Sequence, residues 1–174
     1  MGPRYRAHVP ELLLFLDVDG PLIPFGAKSY PTYRPASTAV RSGSNPLVER
    51  INPACGPQLL ALGCELIWAT TWMTDANDCI SPWLGLPELP VMTWPEPSDQ
   101  DEQDERAGLH WKTRALVDRA GGRTFIWIDD EITAADRAWV RAHHPGRALL
   151  HRVDPQLGLG EADFSTVRAF VANC

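Results

Sequence analysis

Short apolar runs, each closing on polar residues, recur along the chain with helix-like segments between them. Residues 12–16 are five apolar residues in a row, too few for a useful helix and without the alternation of a half-exposed strand. Such a run predicts a strand buried on both faces, as in a parallel sheet. Residues 65–70, 123–128 and 148–153 predict further strands, and 90–94 a shorter one. Helical patterns fall at 53–63, 74–80, 110–119, 132–143 and 162–172, and glycines close the first (Gly63) and the third (Gly121-Gly122). Strands alternating with helices predict an α/β architecture, a five-stranded parallel sheet with helices on both faces. There is no internal repeat, and residues 1–174 read as a single domain of common size.

Two segments fall outside this pattern. Residues 21–46 carry five prolines among Ser, Gly, Tyr and Arg, long for a plain connection, and read as a Pro-rich flap loop of functional interest. Residues 96–106 hold six acidic residues and read as a solvated acidic loop. That run also explains the net charge of −6, because the other 16 acidic residues balance the 16 basic ones. No basic tract of the kind used for tight, sequence-independent nucleic-acid binding is present. No apolar run approaches the ~20 residues that span a bilayer, so no membrane association is expected. The N-terminal basic segment leads into a run too short for a signal peptide, and the expected location is cytoplasmic. The four cysteines show no Cys-x-x-Cys pair and no neighbouring His spacing, which argues against zinc or a disulfide frame.

The chemistry concentrates where the predicted strands end. The first run closes on Asp17-Val18-Asp19-Gly20, the second on Thr70-Thr71, and the fourth on Asp129-Asp130. An open α/β sheet binds ligands at the carboxyl ends of its strands, so these groups converge. If the chain stays extended, Asp17 and Asp19 share one side. If a loop starts at Gly20, one presents its carboxylate and the other its backbone carbonyl. Either way, hard oxygen donors gather in one place, and carboxylates this close repel one another without a cation. All-oxygen donors favour magnesium over zinc. An Asp-Gly turn is the plain alternative at the first site, although one aspartate suffices for a turn. Lysine occurs only twice against fourteen arginines, and Lys112 sits near a predicted helix start, where an ammonium suits an anion site; a solvated helix lysine is the plain alternative.

These four stretches, in this order, resemble the motifs of a haloacid dehalogenase (HAD) superfamily phosphohydrolase. More narrowly, Trp68-Ala69-Thr70-Thr71-Trp72 with Ala76-Asn77, and Trp127-Ile128-Asp129-Asp130-Glu131, are similar to the HAD domain of Swiss Army Knife RNA-repair proteins. The resemblance runs from about Leu12 to the last helix and implies a HAD-like Rossmannoid three-layer sandwich. It implies Asp17 as the nucleophile that forms an aspartyl-phosphate and Asp19 as general acid and base. Thr70 would donate to a phosphoryl oxygen and Lys112 would balance the charge. Magnesium (Mg2+) would be held by Asp17, the Asp19 carbonyl and Asp129, with Asp130 acting through water. Dehalogenases of the superfamily lack the second acid, so Asp19 argues for phosphate chemistry. Pro21 departs from the Thr or Val common after the motif glycine.

Neither the flap loop nor the stretch between Thr71 and Lys112 has room for a folded cap, so the enzyme reads as capless, with an open site. That suits a phosphorylated substrate such as a nucleotide or nucleic-acid end. A phosphoprotein, a small metabolite, or a binding module without activity are the alternatives, and an oligomer partner could supply a lid. Gly20, Thr71, Trp72, Arg34 and Arg41 are the candidate substrate contacts. Trp72 and Trp111 flank the motif positions, where a base could stack or where the rings could simply pack in the core.

Overall fold

In the computed structural model, which describes residues 12–36 and 45–174, the apolar runs become the strands of one sheet. These are β1 (Leu12–Leu16), β2 (Glu65–Trp68), β3 (Thr124–Asp129) and β4 (Ala148–Arg152). All pairings are parallel and the order is β2-β1-β3-β4. The chain adds β2 on one flank of β1, then returns to place β3 on the other. The strand order therefore reverses at β1, and the crevice beyond the carboxyl ends of β1 and β3 is the place where such sheets bind ligands.

The helices are α1 (Cys55–Ala61), α2 (Ser81–Leu84), α3 (Asp99–Arg106), α4 (Thr113–Ala120), α5 (Ala134–His143) and α6 (Glu161–Val171). A π-type turn, Ala76–Ile80, leads directly into α2. Strand periodicity divides the core in two. Leu13, Phe15, Ile67, Phe125 and Trp127 point to one face and pack with Leu116 and Val117 of α4 and Val140 of α5. Leu14, Leu16, Leu66, Ile126 and Ile128 point to the other and meet Leu59 of α1, Leu84 of α2, and Phe164 and Val167 of α6. Large side chains fully buried in this way each contribute about 1.5–3 kcal/mol, which explains why the inner positions of β1, β2 and β3 are all apolar. The α1–α2 contact is so close that a Cβ on Gly56 would lie 1.9 Å from the Leu84 carbonyl oxygen.

Two expectations need correction. The sheet has four strands, not five. Residues 90–92 run beside β2 and make one bridge, Trp68 to Val91, with Trp68 N–H donating to the Pro90 carbonyl (2.9 Å) and Met92 N–H to that of Trp68 (2.8 Å). The pairing stops there because the Asn77 side chain takes both the N–H (2.9 Å) and the carbonyl (2.8 Å) of Leu89, and Pro90 has no N–H to offer. The acidic run is not a loop but α3. Ser98 N–H donates to the Asp101 carboxylate (2.6 Å), and three acids in the first turn face the positive end of the helix. Asp104 is buried there and takes both arms of Arg114 from α4 (2.5 and 2.8 Å).

The described part of the Pro-rich loop forms no long regular element, yet it is tied to the body. Phe25 N–H donates to the Pro155 carbonyl (2.8 Å), Tyr33 N–H to that of Glu49 (2.7 Å) and Ala36 N–H to that of Trp83 (3.0 Å). Among the described residues no helix is long and apolar enough to cross a membrane.

Candidate active site

Asp17 is the first residue past β1, and its N–H donates to the Ile128 carbonyl (3.0 Å), which holds it level with the end of β3. The chain then turns back on itself. The N–H groups of Leu22 and Ile23 both donate to the Val18 carbonyl at 2.9 Å. Gly20 takes φ +85°, and a Cβ there would lie 2.5 Å from Cγ of Asp130. Glycine is what lets the loop after β1 approach the acids after β3 this closely.

Lys112 is buried between these two strand ends. Its Nζ is 3.1 Å from Oδ2 of Asp17 and 2.8 Å from Oδ2 of Asp129. Burial pulls the ammonium down, but the two carboxylates outweigh it and hold Lys112 above its usual pKa, so it stays charged. Burial pushes the Asp17 carboxyl up to about 7; Lys112 opposes this and Asp129 adds to it. Asp130 is also raised, first by burial and then by the neighbouring Asp129.

The two acids after β3 differ in what they touch. Asp129 is fully buried: Oδ2 accepts from Lys112 and from the Trp127 indole N–H (3.2 Å), and Oδ1 accepts from Glu131 N–H (3.0 Å). Asp130 receives no side-chain donor among the described residues on its carboxylate, which accepts only its own backbone N–H, while its carbonyl accepts from Arg152 Nε at 2.8 Å. Asp130 instead faces a pocket of about 160 Å³ that Asp17, Asp19, Thr71 and Lys112 also line. Carboxylate oxygens of Asp17, Asp129 and Asp130 all lie within 4.8 Å of one another. Three carboxylates around one ammonium leave a negative excess that a divalent cation neutralises, and the donors are all oxygen. The residues present fit magnesium.

The remaining candidates sort by position. The Asp19 carboxylate lines the pocket and accepts from the Trp72 indole N–H at 3.1 Å, so Trp72 orients an acid here. Thr70 is fully buried and its hydroxyl oxygen accepts the Trp72 N–H (3.3 Å), while the hydroxyl on the pocket wall belongs to Thr71. Arg34 is exposed and does not line the pocket, and Arg41 lies outside the described residues.

Two contributors were not legible as site residues. Asp136 is fully buried in α5 and accepts from His110 N–H (2.8 Å), the Thr113 hydroxyl (2.6 Å), and the N–H (2.7 Å) and hydroxyl (2.8 Å) of Thr133. It thereby fixes both flanks of Lys112 and moves the start of α4 to Thr113. Thr133-x-x-Asp136 is a visible capping pattern, but it announces only the helix cap. His110 Nδ1 accepts the Lys112 N–H (3.1 Å), so the other ring nitrogen carries the proton and faces Glu131 at 3.1 Å. Trp111, expected either to stack on a base or to pack in the core, has its ring exposed on the pocket wall.

A parallel sheet that brings Asp17, Asp19, Lys112 and a second acid pair to its switch point defines a HAD superfamily domain. Residues 13–164 match the family described as the HAD domain in Swiss Army Knife RNA repair proteins, and the chain belongs to that family. No curated protein and no solved structure matches it.

Proposed function

We propose that this chain is a magnesium-dependent phosphomonoesterase that removes a terminal phosphate from a nucleic-acid end or nucleotide through an aspartyl-phosphate. The observation that carries the reading is the Lys112 ammonium shared by Asp17 and Asp129 beside a pocket lined by Asp130, whose carboxylate no other side chain among the described residues holds. The family's connection with RNA repair supports a nucleic-acid substrate.

Asp17 attacks phosphorus, and the bond to the leaving oxygen breaks as the new P–O bond forms. Asp19, held by Trp72, gives its proton to the leaving oxygen. As a carboxylate it then takes a proton from the water that attacks phosphorus and frees Asp17. Lys112 keeps its proton throughout and offsets charge on both nucleophile and phosphoryl group. Thr71 donates to a phosphoryl oxygen from the pocket wall, and Thr70 fixes the turn that carries it. Asp17, Asp130 and the Asp19 carbonyl are the groups that would hold magnesium; Asp129, expected from the sequence as the direct ligand with Asp130 acting through water, has both carboxylate oxygens engaged and instead orients Lys112. The bound cation supplies charge neutralisation that lets phosphate approach a carboxylate.

A pocket of about 160 Å³ takes a phosphoryl group and little more. Between Asp17 and α1 the described residues contain no helix beyond the single turn Pro46–Arg50, which supports a capless, open site. The test is phosphate release from 3′- and 5′-phosphorylated oligonucleotides, nucleotides and phosphopeptides, with magnesium or with EDTA. Magnesium-dependent release from nucleotide ends is expected; release from phosphopeptides alone would transfer the activity to another substrate class, and no release at all would leave a binding module.

A further inference from the structure

The described residues contain two strongly exposed aromatic side chains, Phe25 at 44% and Trp111 at 43%, and both line the pocket that holds Asp17 and Lys112. Hydrophobic side chains scattered singly over a surface need no explanation, but two aromatics at the mouth of one small polar pocket do. Trp111 is also held in place. Its ring packs edge-on against Trp94 (centroids 4.7 Å apart, 72° between planes) and lies near-parallel to His110 at 5.6 Å, while the opposite side of that histidine is tied to Glu131. Phe25 sits on a loop anchored by its own N–H to the Pro155 carbonyl. Rigid, exposed rings lose little freedom when a ligand docks on them.

The position sets the kind of ligand. Lys112 Nζ is 5.6 Å from the Trp111 ring centroid, so a planar group one sugar removed from a phosphate at Lys112 falls within reach of the ring. Electrostatics point the same way. The groove of about 740 Å³ on one side of Trp111 is lined by Asp99, Asp101, Glu102, Glu105 and Glu131, which disfavours a phosphodiester backbone. On that side the base rather than the backbone is left to supply affinity, and stacking on aromatic side chains is the sequence-tolerant way to obtain it.

We infer that Phe25 and Trp111 form an aromatic mouth that takes the nucleobase of the nucleotide carrying the scissile phosphate. This rests on the phosphatase reading above and deepens it: the recognised unit is a terminal nucleotide, not an extended strand. The test compares kcat/KM for two otherwise identical phosphorylated oligonucleotides, one with an intact terminal base and one abasic there, with β-glycerophosphate as a base-free reference. The wild type should favour the intact base by at least roughly tenfold. Trp111→Ala should bring that ratio to within about twofold of unity, Trp111→Phe should keep an intermediate ratio, and Phe25→Ala should lower it in part. If Trp111→Ala fails to fold, Trp111→Phe and Phe25→Ala still read the ratio. Equal wild-type efficiencies for intact and abasic ends, with all three substrates hydrolysed, overturn this inference and leave the phosphatase reading standing. So does a Trp111→Ala loss that is equal on both oligonucleotides, which would mark a packing role. Absence of turnover on every substrate overturns the phosphatase reading, and this inference with it.

Discussion

Asp136→Ala separates the scaffold of the site from its chemistry. The carboxylate accepts four hydrogen bonds between 2.6 and 2.8 Å, two from the Lys112 segment and two from Thr133. Thr133 is exposed, so its freed groups find water, and the loss there is that of a helix cap, about 1 kcal/mol. The His110 N–H is part-buried and the Thr113 hydroxyl fully buried, and each loses its acceptor at about 1–3 kcal/mol. The expected destabilisation is therefore about 3–7 kcal/mol against the 5–15 kcal/mol of a typical domain, so the variant folds where the loss falls in the lower part of that range. Its consequence for turnover comes through Lys112, because a displacement on the order of 1 Å of a positioned group can cost about a hundredfold. Urea unfolding and magnesium-dependent phosphate release, measured side by side with Thr133→Ala, provide the assay. Thr133→Ala should lose about 1 kcal/mol and keep most of its activity. An Asp136→Ala protein that matches Thr133→Ala in both stability and turnover would refute the argument.

Other expectations follow from the same geometry. Asp130→Ala should weaken magnesium binding by calorimetry, with activity returning in part at high magnesium; Asp129→Ala should leave metal affinity less affected but lower turnover through a misplaced Lys112. Equal losses of affinity would mean both acids are ligands. Without metal, the Asp17 carboxyl is raised to about 7, so the native state holds a proton that the unfolded chain releases near pH 4. Stability from this group is full below about pH 4, declines as pH rises to about 7 and is flat above. In EDTA, the melting temperature of Asp17→Asn relative to wild type should therefore climb between those limits, and magnesium should flatten the difference. A difference independent of pH in EDTA would contradict the burial of an ionisable Asp17.

What the sequence makes legible depends on how local the physics is. Residues 12–16 and 125–128 announce buried strands because burial on both faces leaves no room for a polar residue. The convergence of Asp17, Lys112 and Asp129 follows once a parallel sheet is accepted. The supposed strand at 90–94 fails because a side chain twelve residues earlier, Asn77, occupies the backbone of Leu89, which no pattern within the segment records. The acidic run became a helix through the Ser98–Asp101 cap and the buried Asp104–Arg114 pair, both outweighing a composition typical of a loop. The contrast between Asp129 and Asp130, and between Trp72 and Trp111, is invisible in one dimension. Neighbours in sequence differ there only in which way the side chain turns and what stands opposite.

The central claim is that Asp17 becomes covalently phosphorylated. Acid quenching of a reaction with a radiolabelled phosphorylated oligonucleotide, followed by peptide mapping, tests it most directly. The account predicts a hydroxylamine-labile label on the peptide containing Asp17, formed with magnesium, absent in EDTA and absent in Asp17→Asn. Phosphate release without any such label, together with near-normal turnover by a folded Asp17→Asn protein, would contradict it.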